Sequence, residues 1–587
     1  MEILRIEDLS FKYNGSKEYA LKNIDLSIKE GEFVVICGES GCGKTTLLTL
    51  LKKEFTPAGE KTGKIYYNGI DYNNLKDRES AAYIGYVQQN PDNQIVTDKV
   101  WHELAFGLEN IGVPTGVIRR KVGEMASYFG ITDWFRKKTD ELSGGQKQLL
   151  NLAAIMVMQP KILLLDEPTG QLDPIAASEF IFTLQKLNRE LGITVIIVEH
   201  RLEDAFPASD RVLVMENGSV IMCDSPKNIG KNFTEYSKDH KAFYGLPAAV
   251  RIFSQIKGEG ECPITVKEGR DFLMRNFKEC KEHNGSYNAC EEKSFRHSKG
   301  DIPEYSKSPT PEYNKISVAE NSKGVALELK NVWFRYEKDL PDILRGVSVK
   351  VCYGEIFCLL GGNGTGKTTM LNVISGLKKA YRGKTLIKNI PIGKYKGNSL
   401  YRKNLAFLPQ NPQTVFIKDS VGEDLNDILA ILNVPKNEQK KRLNYVAEKL
   451  KITELLNRHP YDISGGEQQR CALAKLLLLE PEIILLDEPT KGIDAAAKKD
   501  LTEILKKLKS DGVAVFLVTH DVEFAAECAD RCALFFDGEI MSEDTPEEFF
   551  SQNNFYTTAA SRMARNIFKK AVTCEQVVGC IERMSAK

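Results

Sequence analysis

GESGCGKTT (Gly38 to Thr46) and GGNGTGKTT (Gly361 to Thr369) decide the reading of this chain. Each follows a short apolar run, Phe33 to Cys37 or Ile356 to Leu360, and each fits GxxxxGK[ST]. A strand that passes through such a loop into a helix offers backbone N–H groups to phosphate, a lysine to the outer phosphates and a hydroxyl to a divalent cation. Lys44 with Thr45 and Lys367 with Thr368 fill those roles. Working outward from each loop, the same phrases recur in the same order. LSGGQ (Leu142 to Gln146), LLLDEP (Leu163 to Pro168) and VEH (Val198 to His200) are answered by ISGGE (Ile463 to Glu467), LLDEP (Leu485 to Pro489) and VTH (Val518 to His520). The lysines stand 323 residues apart (44 and 367), the serines 321 (143 and 464), the glutamates 321 (167 and 488) and the histidines 320 (200 and 520). An internal repeat on this scale sets the architecture.

The apolar runs Ile162 to Leu165 and Val195 to Val198, with Ile483 to Leu486 and Val515 to Val518 in the second copy, are too continuous for half-exposed strands. They fit parallel strands covered on both faces, an α/β class. The acid pairs Asp166–Glu167 and Asp487–Glu488 end such strands. One carboxylate of each suits a metal site and the other suits the attacking water, since in-line phosphoryl transfer depends mostly on positioning and charge stabilisation. The glutamates lie 24 residues after their signature serines in both copies (143 to 167, 464 to 488), against an incidental acid pair facing solvent.

The LSGGQ element separates the chain from other P-loop proteins, and with it both copies resemble ABC-type ATPases. The resemblance covers most of the chain and implies tandem P-loop ABC ATPase cassettes, each with a RecA-like core and a helical signature subdomain, joined by a flexible linker. The expected boundaries are residues 1–245 and 325–545 for the cassettes, 246–324 for a mobile linker and 546–587 for a helical tail. By the same resemblance the cofactors are ATP and Mg2+. Gly38, Ser40, Gly41, Gly43, Lys44, Thr45 and Thr46, with Gly361, Asn363, Gly364, Gly366, Lys367, Thr368 and Thr369, would hold the phosphates. Ser143, Gly144 and Gly145 would face the nucleotide on Lys367, and Ser464, Gly465 and Gly466 the one on Lys44, in a head-to-tail pair. Gln89 and Gln410, each followed by Asn-Pro, resemble the Q-loop glutamines that contact metal and water. With Thr45, Asp166, Thr368 and Asp487 they make up the metal set, while Glu167, Glu488, His200 and His520 are the remaining catalytic candidates. Tyr13 and Tyr336 resemble the aromatic that stacks on adenine.

One departure stands out. The signature continues to Gln469–Arg470 in the second copy but to Gln148–Leu149 in the first, which implies unequal sites.

QQNPDNQIV (Gln88 to Val96), ELAFGLEN (Glu103 to Asn110) and the tail FYTTAASRMARNIF (Phe555 to Phe568) resemble the energy-coupling-factor importers of vitamins and of cobalt or nickel ions. The second copy carries the looser QNPQTVF (Gln410 to Phe416) and SVGEDL (Ser420 to Leu425). That resemblance implies a motor beneath an integral membrane coupling subunit and a membrane substrate-binding subunit. Two alternatives remain: soluble tandem ABC proteins of the ribosome, and fused sugar-importer ATPases. The first usually join their cassettes by a long charged helical hairpin, whereas Pro303, Pro309 and Pro311 would break such helices here. The second tend to carry one degenerate site.

Bulk properties agree with a peripheral role. Of 587 residues, 42% are hydrophobic and 27% charged, and no apolar stretch reaches the roughly 18 to 20 residues of a membrane span. MEILRIEDLSFKY lacks a signal-peptide core, so the expected location is cytoplasmic, peripheral on the inner face of the cell membrane. Lys plus Arg equals Asp plus Glu at 80 each, so no nucleic-acid partner is expected. The 13 cysteines show no repeated CxxC and read as reduced thiols. Cys280, His283, Cys290 and His297 match no familiar zinc spacing. Cys42, inside the first P-loop, reads as a tolerated small residue; if exposed, it would react with a thiol reagent.

Overall fold

In the computed structural model, residues 1–233, 241–256, 260–277 and 324–585 are described. Each cassette is built on a six-stranded sheet. In the first the strand order is Ser219–Asp224, Arg211–Glu216, Phe33–Gly38, Thr194–Val198, Ile162–Asp166, Ile84–Val87. All neighbours run parallel except the hairpin Arg211–Glu216 with Ser219–Asp224. The second cassette repeats this order with Glu539–Asp544, Arg531–Phe536, Ile356–Leu360, Ala514–Thr519, Ile483–Asp487 and Leu405–Leu408. The runs expected to be parallel strands are the central ones, buried along their whole length. This follows from covering both faces, since two-sided burial is what a continuous Val/Ile/Leu strand requires.

One face of each sheet packs on the P-loop helix, Lys44–Leu50 or Lys367–Ile374, and on a four-stranded antiparallel sheet. That second sheet pairs Glu2–Tyr13 with Leu21–Lys29 and Gly59–Tyr67, and Val325–Phe334 with Leu344–Cys352 and Arg382–Ile387. The other face carries the helices, including the signature group Val100–Asn110, Thr115–Tyr128 and Gly144–Met156, and Val421–Ile431, Lys436–Lys449 and Gly465–Leu477. Both P-loops therefore leave the C-terminal end of a strand flanked by parallel neighbours, where phosphate binds in open α/β sheets.

The composition of residues 246–277 reads as linker, but the structure places the helices Ala248–Gln255 and Val266–Phe277 there. Val250, Ile252, Phe253, Phe272 and Leu273 supply an apolar face. That face packs against the tail helices Ala559–Ala564 and Cys574–Ser585, burying Met563, Val577 and Ile581. Four short helices thus tie the two cassettes together. Equivalent glutamates anchor them: Glu203 Oε2 accepts from the amide of Ala248 at 3.1 Å, and Glu523 Oε1 from that of Ala559 at 2.6 Å. Burial raises both carboxyls, that of Glu523 to about 8. Residues 278–323, with Cys280, His283, Cys290, His297 and the three prolines, lie outside the described residues. No helix among the described residues is long and apolar enough to cross a membrane.

Candidate nucleotide sites

The first P-loop closes on its own lysine. Lys44 Nζ donates to the carbonyls of Gly38 at 2.9 Å and Glu39 at 2.7 Å, and Lys367 Nζ makes the same pair with Gly361 at 2.9 Å and Gly362 at 2.7 Å. Gly43 and Gly366 sit at φ 100° and 104°. A Cβ at Gly43 would lie 2.5 Å from the carbonyl oxygen of Ala20, so both strain and crowding demand glycine there. Gly41 and Gly364 face open space, as a loop that receives a ligand must. Cys42 is buried and burial raises its thiol, so it is a packing residue rather than an exposed reagent site.

Thr45 Oγ1 donates to Asp166 Oδ1 at 3.0 Å. Burial, then the Glu167 charge, lifts Asp166 to about 6; burial does the same to Asp487, opposed by the Thr368 hydroxyl. Asp487 Oδ1 is buried without a hydrogen-bond partner. A hydroxyl beside a carboxylate is a hard oxygen pair that fits Mg2+, and an orphaned buried oxygen leaves coordination capacity for it.

The glutamates Glu167 and Glu488 have left-handed backbones, φ 45° and 47°, which is uncommon for a non-glycine residue. Their amides are pinned to the carbonyls of Val198 at 3.0 Å and Val518 at 2.9 Å on the neighbouring strand. The strain is held by the sheet and turns each carboxylate toward its histidine. Glu167 Oε1 lies 2.7 Å from His200 Nε2, and Glu488 Oε2 lies 2.8 Å from His520 Nδ1. Burial would raise both carboxyls, but the adjacent histidine and the P-loop lysine hold them below the usual range. Gln89 Nε2 donates to Glu167 Oε2 at 2.7 Å, so the first site gathers Gln89, Glu167 and His200. Gln410 is exposed beyond the strand Leu405–Leu408.

Tyr13 and Tyr336 border the P-loop helices, with hydroxyls 2.9 Å from Thr46 Oγ1 and 3.1 Å from Thr369 Oγ1. Both rings are exposed, and Phe11 and Phe334 brace them edge-on. Ser143 and Ser464 each open the signature helix as N-caps in capping boxes with Gln146 and Glu467. Arg470 reaches to within 4.0 Å of Asp500 on the helix Ala495–Ser510, while Leu149 packs into the apolar core. The helices after the two signatures are therefore held differently.

Cross-cassette residues are what the motifs missed. Asp494 caps the helix Ala495–Ser510, and its Oδ2 also accepts from the amide of Ser40 in the other cassette at 2.8 Å. A cleft between the cassettes is lined by Gly38, Glu39, His200 and Asp494. Gly465 of the second signature lies against Gly492 and Ile493 in the segment that touches the first P-loop. Glu199, where the second copy has Thr519, is fully buried; its Oε1 accepts from the amide of Thr169 and its Oε2 from that of His200. Burial raises it to about 7. The differences VEHR against VTHD mark Glu199 and Arg201 in the sequence, but nothing local says that Arg201 Nη2 lies 2.9 Å from His520 Nε2 in the other cassette.

The sequence profile of the family described as ABC transporter matches residues 21–170 and 344–491. A protein of Bacillus thuringiensis provisionally named an ABC transporter ATP-binding protein is 41% identical over 97% of this chain and 97% of its own. A similarly named protein of Methanosarcina mazei is 31% identical over 93% of this chain and 90% of its own. Among solved structures, cbiO1 of Clostridium perfringens, described as part of the ABC transporter complex cbiONQ, is 35% identical over 40% of this chain and 93% of that one, with a TM-score of 0.37. A family profile matched on both cassettes and a relative 41% identical over 97% of the chain lead to one conclusion: the chain belongs to the ABC transporter family, as an ATP-hydrolysing protein with two ATP-binding cassettes.

Proposed function

We propose that this chain is the motor of an energy-coupling-factor-type importer, driving uptake of a vitamin or a transition-metal ion through separate membrane subunits. The observation that carries the reading is the Gln88 to Thr97 segment. One end, Gln89, bonds the Glu167 carboxylate at 2.7 Å. The other is fixed by Glu103 Oε2, which accepts from the amides of Val96 at 3.1 Å and Thr97 at 2.8 Å. Val96 itself is 67% exposed, and Trp101 on the next helix is exposed as well. Ile417, at 77% exposure, holds the equivalent place in the second cassette. An exposed apolar rim joined through one glutamine to the hydrolytic carboxylate suits a membrane subunit's helix that must feel the state of the nucleotide.

In each site the lysine and loop amides would bind the phosphates, the glutamate would orient water, and the histidine would contact the terminal phosphate. Mg2+, held by Thr45 and Asp166 or Thr368 and Asp487, would supply charge neutralisation. The placement of Gly465 beside the segment that touches Ser40 supports pairing each P-loop with the other copy's signature. A fused chain presents both halves at high effective concentration.

The test is recovery from cell membranes under mild detergent. The reading expects an integral membrane protein to co-purify, and Val96→Asp with Ile417→Asp to release it while ATP binding persists. Recovery with ribosomes and no integral membrane protein rejects it.

A further inference from the structure

The switch histidines are wired differently. His200 presents Nε2 to Glu167, and its side chain is 14% exposed. His520 presents Nδ1 to Glu488, poorly aligned for a hydrogen bond at 2.8 Å, and is 4% exposed. Its other nitrogen, Nε2, lies 2.9 Å from Nη2 of Arg201, a residue of the first cassette. A guanidinium has donors and no acceptor, so Nε2 of His520 must carry the lone pair and the ring proton must sit on Nδ1. Arg201 is braced at home, where Nη1 donates to the carbonyl of Leu172 at 3.1 Å, next to Asp173. At the matching position of the second cassette stands Asp521. Its Oδ1 accepts from the amide of Phe524 at 3.1 Å and its Oδ2 from Lys498 Nζ at 2.6 Å, and against burial the charges of Lys498 and of Arg201 across the join both hold its carboxyl low.

Phosphate oxygens on bound ATP accept hydrogen bonds, so a histidine that contacts them must donate. His520 held by Arg201 has no proton on Nε2, and its Nδ1–H faces Glu488. We propose that Arg201 is a positioning residue acting in trans on the second ATP site, holding His520 off the terminal phosphate until the first cassette's Leu172 segment moves. The second site then bears a cost for ATP that it does not bear for ADP, and the first cassette sets that cost. This rests on His520 contacting the terminal phosphate, as proposed above.

The test uses the full chain with Lys44→Ala to silence the first site, and calorimetric binding of the Mg2+ complexes of β,γ-imido-ATP and ADP. Arg201→Ala is expected to tighten imido-ATP at the second site about tenfold, roughly 1.4 kcal/mol, and to leave ADP within about twofold. Arg201→Lys should fall between, because an ammonium can still donate to Nε2 but lacks the rigid fork that also reaches Leu172. No change for imido-ATP, a weakening, or an equal shift for both nucleotides overturns the proposal; the last marks a merely structural residue. His520→Ala separates the two claims. If it leaves the preference for imido-ATP over ADP intact, the phosphate-contact reading fails; if it lowers that preference while Arg201→Ala does nothing, the Arg201 proposal fails alone. In a Lys367→Ala chain, first-site binding unchanged by Arg201→Ala supports an effect confined to the second site, and loss of it overturns that.

Discussion

Asp494 Oδ2 accepts a hydrogen bond from the amide of Ser40, 2.8 Å away and 454 residues earlier in the chain. One carboxylate thereby caps a helix of the second cassette and steadies the P-loop of the first. Asp494 stays below the usual carboxylate range because, against its burial, the Ala497 and Ser40 amides and His200 favour the charged form. The candidate nucleotide sites and the join between cassettes share residues.

Asp494→Ala should cost about 1 to 2 kcal/mol of stability, the loss of an N-cap together with an inter-cassette hydrogen bond. Thermal unfolding of the full chain measures it. Asp494→Asn should recover only part of the loss, because Oδ1 accepts from the Ala497 amide and Oδ2 from the Ser40 amide, and asparagine has one acceptor oxygen where aspartate has two.

Glu167→Gln and Glu488→Gln should each lower ATP turnover, by about a hundredfold or more at the altered site, and by different factors in the whole chain. The difference follows from Glu199 against Thr519, Arg201 against Asp521 and Leu149 against Arg470. Steady-state ATPase of the two variants is the check, and identical residual rates would remove the claim of unequal sites.

Tyr336→Ala should raise the KM for ATP about tenfold, since base–aromatic stacking contributes about 1 to 3 kcal/mol. Tyr336→Phe should stay within about twofold, because the exposed ring and not its hydroxyl bond to Thr369 would meet the base. Tyr13 should follow the same pattern at the first site.

Stability should fall as pH rises toward 8 through the four-helix junction. Glu523 titrates at about 8 when folded, against 4.5 for the unperturbed group. Between those values the folded chain binds more protons than the unfolded one, so stability declines with rising pH and the contribution of the protonated group is lost through pH 8. Glu523→Gln keeps an acceptor for the Ala559 amide and should flatten the fall in melting temperature between pH 5 and 8. A slope unchanged by the substitution would rule out Glu523 as its source.

Local chemistry made the sites legible and long-range contact hid the rest. Lys44, Thr45, Asp166 and Glu167 come together through spacing along strands and turns, which the sequence states directly. The pairings Ser40–Asp494 and Arg201–His520 join residues hundreds of positions apart, and neither has a local signature. The left-handed backbone of Glu167 arises from its bond to Val198 on another strand and could not be read from DEP alone. The helices Ala248–Gln255 and Val266–Phe277 read as linker because Lys- and Glu-rich sequence surrounds them, and much of their apolar faces meets the tail more than 280 residues later, a partner that no local pattern names. The apolar residues of AAVRIFSQ at helical spacing, Ala249, Ile252 and Phe253, were the available signal.

ATP turnover in a pair of double variants tests the cross-paired arrangement most directly. Lys44→Ala should leave measurable hydrolysis from the second site. Adding Ser464→Arg alters the same composite site and should lower the rate little further, whereas adding Ser143→Arg strikes the remaining site and should abolish it. The reverse pattern, with Ser464→Arg abolishing the residual activity and Ser143→Arg sparing it, would contradict the account.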